Sequence, residues 1–237
     1  ISYSATVKFF SRVKKEFYYK HNGYLPLDHR PGEAQVELGD CAFFEKGEKV
    51  YGKYLVVTFA HSNASYVQLV RHKNAESIVE TIKHIFEYLN GVPHTIWFDN
   101  DSALVKVTNL DNGNISRTLS DTFYRFKLHY EFKEVFMNPE RGYEKGTVEQ
   151  AVRFMRRNLL VPLPQFDDFE EFNKELLKKS SNLLKREHYV LKQPIVDLHF
   201  EDINELNQLP PTSFFCTSVS SRKLDNYCRL TTENRHY

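Results

Sequence analysis

Between residues 34 and 98 the spacing of apolar side chains changes from two to between three and four, and then back to two. That succession limits the fold more than any other feature, because a period of two belongs to strands and a period near 3.6 to helices. Residues 51–60, YGKYLVVTFA, give the strongest strand signal, being rich in Val, Tyr and Phe. Residues 34–38 alternate, with Val36 and Leu38 on one side and Gln35 and Glu37 on the other. Residues 66–70, YVQLV, are the expected antiparallel partner of 51–60, so the three strands make a meander. Asn74 caps the predicted helix that follows, Glu76 stands in its first turn, and Ile78, Ile82, Ile85, Phe86 and Leu89 form its apolar stripe up to Gly91. Pro93 introduces a further strand, HTIWF at 94–98, which ends at Asp99. A helix crossing between two strands of one sheet places Asp99 at the open sheet edge, where sites are usually built.

The second half repeats the pattern less regularly. Asp111, Asn112 and Gly113 predict a hairpin turn. Residues 120–132 have helical spacing in Phe123, Phe126 and Tyr130, and 134–137 read as a short strand. The stretch 138–160, NPERGYEKGTVEQAVRFMRRNLL, runs from a loop into a helix. Thr147 and Gln150 are spaced as a capping box, which puts the helix start near Thr147. Val148, Ala151, Val152, Met155 and Leu159 form its buried stripe, and Glu149, Arg153, Arg156 and Arg157 lie off it. A first-turn carboxylate is stabilised in its charged form by the helix dipole, which suits a metal ligand. The same spacing also suits an ion pair between Glu149 and Arg153. Pro162 and Pro164 end this helix, and Asp167 with Glu170 starts another that carries Phe169, Phe172, Leu176, Leu183 and Leu184. Residues 194–211 read as loop-rich, and 222–237 as short strands.

A chain of 237 residues holds one large domain, or one domain with an appendage, and 41% apolar residues suffice for a sizeable core. No apolar run reaches membrane-spanning length, and no small-residue cleavage site follows the first residues, so neither a span nor a signal peptide is expected. Three cysteines without close pairing point to a reduced, cytosolic compartment. Ten histidines without H-x-x-x-H or C-x-x-C spacing argue against zinc. The net charge of +1 is uninformative, but its distribution is not. Lys8, Arg12, Lys14, Lys15 and Lys20 are interleaved with Phe9, Phe10, Phe17, Tyr18 and Tyr19, and Arg153, Arg156 and Arg157 make a second basic group. Such clusters neutralise phosphates, or else form solvated helix faces. Residues 1–20 read as helix, and Pro26 and Pro31 break the chain before the main domain.

The residues PGEAQV (31–36), WFDN (97–100), NP (138–139) with EKG (144–146), and VE (148–149) resemble the DDE transposase and retroviral integrase superfamily, and within it the IstA-type insertion-sequence transposases. The resemblance implies an α/β, RNase H-like fold: a mixed five-stranded sheet flanked by helices, then a helical segment and part of a small β-barrel. It divides the chain into a basic helix and linker from a DNA-binding region (1–30), a catalytic core (31–165), a helical connector (166–208) and the start of the barrel (209–237). It implies Glu37, Asp99 and Glu149 as catalytic residues and ligands for two Mg2+ or Mn2+ ions, with DNA contacts from Lys14, Lys15, Arg141, Arg153, Arg156 and Arg157. The family pattern carries Asp where this chain has Glu37; Asp40 is acidic but falls on the opposite strand face. The implied activity is metal-dependent cutting of transposon ends, followed by attack of the freed 3′-hydroxyl on target DNA. The implied partners are transposon-end and target DNA, an IstB-type AAA+ ATPase and further copies of the chain, as a dimer or larger, in the bacterial cytoplasm at the nucleoid and without a membrane. Two other readings accompany it: a transposase-derived DNA-binding or assembly protein that is catalytically weak or inactive because of Glu37, and an RNase H-like nuclease with other substrates.

Overall fold

The computed structural model describes residues 6–13, 29–109, 115–137, 146–216, 231–232 and 235–236; at 109, 146–149, 231–232 and 235–236 it describes the backbone alone. A short exposed helix, α1 (residues 6–13), precedes the main body. The body begins with the expected meander: β1 (Glu33–Glu45), β2 (Glu48–Phe59) and β3 (Ser65–Val70), joined antiparallel in that order. Helix α2 (Ala75–Leu89) crosses to β4 (Thr95–Phe98), which pairs with β1 in parallel. A hairpin, β5 (Val105–Asn109) and β6 (Ile115–Leu119), leads into α3 (Asp121–Tyr130) and β7 (Lys133–Phe136), which is parallel to β4. The strand order β3-β2-β1-β4-β7 is the mixed five-stranded sheet of the RNase H-like fold. A two-residue strand, β8 (Gln165–Phe166), adds a sixth by pairing with the far end of β1.

Alternation along the strands sends side chains to two cores. Ala34 and Val36 of β1, Leu55, Val57 and Phe59 of β2, and Ile96 and Phe98 of β4 face α2 and α3. Those helices contribute Ile78, Ile82, Ile85 and Phe86, and Phe123, Phe126 and Tyr130. On the opposite face, Phe43, Tyr54, Val56, Val67 and Leu69 pack against Val152 and Met155 of α4 (Gly146–Leu159) and Phe169 and Leu176 of α5 (Phe169–Asn182). Helix α4 therefore covers the sheet face opposite to α2 and α3.

Several expectations needed correction. Asn90, not Gly91, takes the left-handed position that ends α2; a short polar side chain tolerates that conformation, and Gly91 instead lies where a Cβ would stand 2.8 Å from Leu206. Helix α5 is capped by Asp168, whose carboxylate accepts the Glu171 N–H, and Leu183 and Leu184 belong to a separate 3-10 turn. Within the stretch read as loop-rich lies α6 (Ile195–Asn204), which starts directly after Pro194. Of the expected barrel strands, β9 (Thr231–Thr232) and β10 (Arg235–His236) form an antiparallel pair; no closed barrel is formed among the described residues. The hairpin turn at 111–113 lies outside the described residues.

Candidate active site

β1 and β4 run side by side in register, with Gln35 beside Trp97 and Val36 beside Phe98. The paired register ends there, and Glu37 and Asp99 are the next residues of the two chains. Val36 and Phe98 both point into the α2–α3 core, so Glu37, the next residue of β1, belongs to the opposite face, the one α4 covers, while Asp99 lies just past the end of β4. Glu37 is half-buried and Asp99 exposed at the strand end. Asp40 is on the other face, largely solvated and ion-paired with Lys53 of β2, which holds its carboxyl below the usual carboxylate range. The alternation of β1 thus separates the two acidic candidates as expected from sequence.

The third candidate, Glu149, occupies the first turn of α4, one turn before Val152. Val152 is buried against β2 and β3 on the Glu37 face, so the backbone brings position 149 to that side of the sheet. The Glu149 side chain is outside the described residues, as are Lys14, Lys15 and Arg141. Among the described residues no three His, Cys, Asp or Glu side chains form a metal-holding group. Arg153, Arg156 and Arg157 are exposed along α4.

The loop after Asp99 is pinned by groups that sequence reasoning passed over. Asp99 Oδ1 accepts the Asn100 N–H at 2.9 Å, and Asn100 Nδ2 donates to the Met137 carbonyl at 2.6 Å. Arg117 Nε, from β6, donates to Asn100 Oδ1 at 3.1 Å. Asp101 accepts the Ala103 N–H at 2.9 Å and pairs with Lys73 at 3.1 Å. Together these fix the turn that presents Asp99, beside a cavity of about 290 Å3 lined by Val36, Leu38, Asp99 and Asp101. Asn100 stood within the WFDN motif and was the available signal; Arg117 had none, because only the hairpin brings it there. Lys106 is exposed, and Arg125 pairs with Asp121 at 3.0 Å on its own helix. Trp97 is half-buried on the Glu37 face, where its Nε1–H donates to Glu33 at 3.3 Å.

Around Glu37 the surface is aromatic and basic. Tyr54 packs across Gly39, and burial raises its phenol pKa against the pull of the Arg156 cation; Glu37 also pushes it up. Burial, followed by the charge of Asp40, pushes the Cys41 thiol up to about 11, so it is no nucleophile near neutral pH.

No family model matches the chain. It is 28% identical over 189 residues to the transposase for insertion sequence element IS21 of Pseudomonas aeruginosa, covering 79% of this chain and 46% of that protein. It is 29% identical over 150 residues to the transposase for insertion sequence element IS640 of Shigella sonnei, covering 63% of this chain and 44% of that protein. The chain thus spans less than half the length of these two relatives. Among solved structures, a chain of the simian T-cell lymphotropic virus intasome in complex with PP2A regulatory subunit B56 gamma superposes with a TM-score of 0.50 at 15% identity, covering 85% of this chain and 64% of that one. By its strand order the chain has an RNase H-like fold, and in sequence it is similar to the transposases of the insertion sequence elements IS21 and IS640.

Proposed function

We propose that the chain is the catalytic region of a DNA transposase that cuts transposon ends and joins them to target DNA. The observation that supports this reading best is the β1–β4 register, whose last pair, Val36 and Phe98, immediately precedes Glu37 and Asp99 on the two chains, together with the packing of α4, the helix that carries Glu149, on the sheet face to which Glu37 belongs. Three carboxylates offer hard oxygen donors, the chemistry that magnesium or manganese requires, so this donor set fits two such ions. When bound, the ions supply Lewis-acid stabilisation of the attacking and leaving oxygens. The protein's own part is to hold the carboxylates. The loop network of Asn100, Arg117 and Met137 anchors Asp99, and the packing of Val152 and Met155 anchors α4. Arg153, Arg156 and Arg157, with Lys14, Lys15 and Arg141, neutralise DNA phosphates. Two DNA ends joined in one event call for more than one copy of the chain, and an IstB-type ATPase is the expected accessory partner.

The test is joining of labelled, pre-cut ends in magnesium by the parent, Asp99→Asn, Glu149→Gln and Glu37→Asp proteins. Asp99→Asn and Glu149→Gln are expected to lose joining by about a thousandfold or more, several kcal/mol of transition-state stabilisation. Unchanged joining by either would refute the assignment. One observation favours a second reading: the residue at position 37 is Glu, one methylene longer than the family's Asp, and a 1 Å misplacement costs roughly a hundredfold. A parent that joins no ends while Glu37→Asp does would identify a silent assembly protein.

A further inference from the structure

A cavity that neither Glu37 nor Asp99 lines opens between α4 and the segment that follows the 3-10 turn. It has a volume of about 510 Å3, and its lining includes Arg153, Phe154 and Arg157 of α4, Arg186 and Tyr189 of the later segment, and Asn63 of the β2–β3 turn. Three arginines thus face one glutamate, Glu187, which lies 4.0 Å from Lys192. Arg186 is half-buried. Its guanidinium stacks over the Phe154 ring, 4.4 Å from the centroid, and donates to the carbonyls of Leu183 at 3.1 Å and Asn63 at 3.0 Å. Burial lowers its pKa, but a guanidinium keeps its proton at any physiological pH. Beside it, Tyr189 stacks on the His188 ring at 5.2 Å and 28° while remaining 59% exposed. His188 is itself fixed, since its Nδ1 accepts the N–H groups of Val190 and Leu191. An aromatic ring fixed in orientation and open to solvent, next to a cluster of guanidinium groups, is what a single-stranded nucleic acid strand uses: bases stack on the ring and phosphates meet the cations.

Resting on the transposase reading, we propose that this cavity holds an unpaired nucleotide of DNA, with its base against Tyr189 and its phosphate among Arg153, Arg157 and Arg186. Neither Glu37 nor Asp99 lines this cavity, and the binding proposed needs no metal. An acidic peptide is the rival occupant, since arginines alone do not distinguish phosphate from carboxylate; the exposed tyrosine favours the nucleotide.

The experiment is fluorescence anisotropy of the 237-residue chain, in EDTA, with a labelled single-stranded 12-mer and a blunt duplex of the same sequence. Tyr189→Ala is expected to weaken single-strand binding about tenfold, within the range of one lost base stack, and to leave duplex binding unchanged. Arg157→Gln is expected to weaken binding to both and to reduce the salt slope by about one. Single-strand binding by Tyr189→Ala equal to the parent's overturns the proposal. Displacement of the 12-mer by a poly-glutamate peptide with equal strength from parent and Tyr189→Ala also overturns it, in favour of an acidic peptide. Tyr189→Leu, which keeps apolar bulk without the ring, guards against a folding defect: it is expected to bind the single strand as weakly as Tyr189→Ala, and parent-like binding by it overturns the stacking claim. Because metal is absent, the result is independent of the joining assay. Loss of joining in Asp99→Asn with parent-like binding by Tyr189→Ala would leave the transposase reading standing and this proposal refuted.

Discussion

At the scale of single residues, Gly39 and Tyr54 show how closely the candidate site is built. The Tyr54 ring occupies the place where a Gly39 side chain would stand, with Tyr54 Cζ and Oη both inside normal contact of an added Cβ. Gly39 follows Glu37 by two residues on the same strand face, so the ring lies against the candidate site. Gly39→Ala is expected to displace Tyr54 and destabilise the fold by about 1–3 kcal/mol, the usual cost of overpacking. Urea denaturation measures it, and in a Tyr54→Leu background the cost of the same substitution should shrink, because the two positions are in contact. An equal cost in both backgrounds would show that the strain lies elsewhere. At this scale the sequence was informative where a rule of alternation applied: Glu37 and Asp40 fell on opposite faces because strand residues an odd number of positions apart must. It was silent on Tyr54, whose role depends on a glycine in the neighbouring strand.

At the scale of elements, β3 is the edge strand of the sheet, and an edge carries unpaired backbone groups that invite another chain. Helix α5 covers it. Asn173 Oδ1 accepts the Leu69 N–H at 2.8 Å, its Nδ2 donates to the Leu69 carbonyl at 3.0 Å, and Ser180 Oγ accepts the Val67 N–H at 3.3 Å. A side-chain amide here takes the place of the missing strand. Asn173→Leu fits the apolar surroundings but leaves two buried backbone groups unpaired, and is expected to cost about 2–4 kcal/mol. Thermal unfolding should show a lower Tm together with concentration-dependent aggregation; a Tm within 1 °C (roughly 0.5 kcal/mol) of the parent's would refute the role. The helical period of α2 and α3 and the β-rich runs of β2 and β3 were legible because each buries one continuous stripe. Helix α6 was not, since only Ile195, Leu198, His199 and Asp202 are buried and two of those four are polar. Its burial rests on a hydrogen-bond chain instead: Asp202 accepts the Gly32 N–H at 3.0 Å and lies 3.3 Å from His199 Nδ1, and His199 Nε2 accepts from the Tyr66 hydroxyl at 2.9 Å. No periodicity of apolar residues announces such a contact. β8 was invisible for a different reason, being two residues long.

At the scale of the whole molecule, His188 joins parts of the chain far apart in sequence. It is 6% exposed, its Nδ1 accepts two backbone N–H groups of its own loop, and its Nε2 meets the Asn63 side chain in the β2–β3 turn. With Nδ1 accepting, the single proton of the neutral ring sits on Nε2, so the Asn63 amide must turn its oxygen toward it. A second proton would have to go on Nδ1 and would expel both backbone donors. Burial first, and then the nearby charges of His61 and Arg186, lower the folded-state pKa below its ordinary 6.5. The sign follows from proton counting. Above pH 6.5 neither state holds the extra proton and the group is neutral to stability. Below it the unfolded chain takes up a proton that the folded chain refuses, so stability falls as pH drops from 6.5 toward the lower folded value. His188→Gln removes the titration while keeping an acceptor for the loop. Between pH 7 and pH 5 the parent should therefore lose more stability than the variant, read as the difference in urea midpoints at each pH. The gap between the two proteins should narrow toward acid, whatever the fixed cost of the substitution at pH 7. A constant gap across that range would mean that His188 takes up its proton in the folded state as readily as in the unfolded one, and that the contact between the Asn63 turn and the segment carrying Arg186 and Tyr189 is held by packing alone.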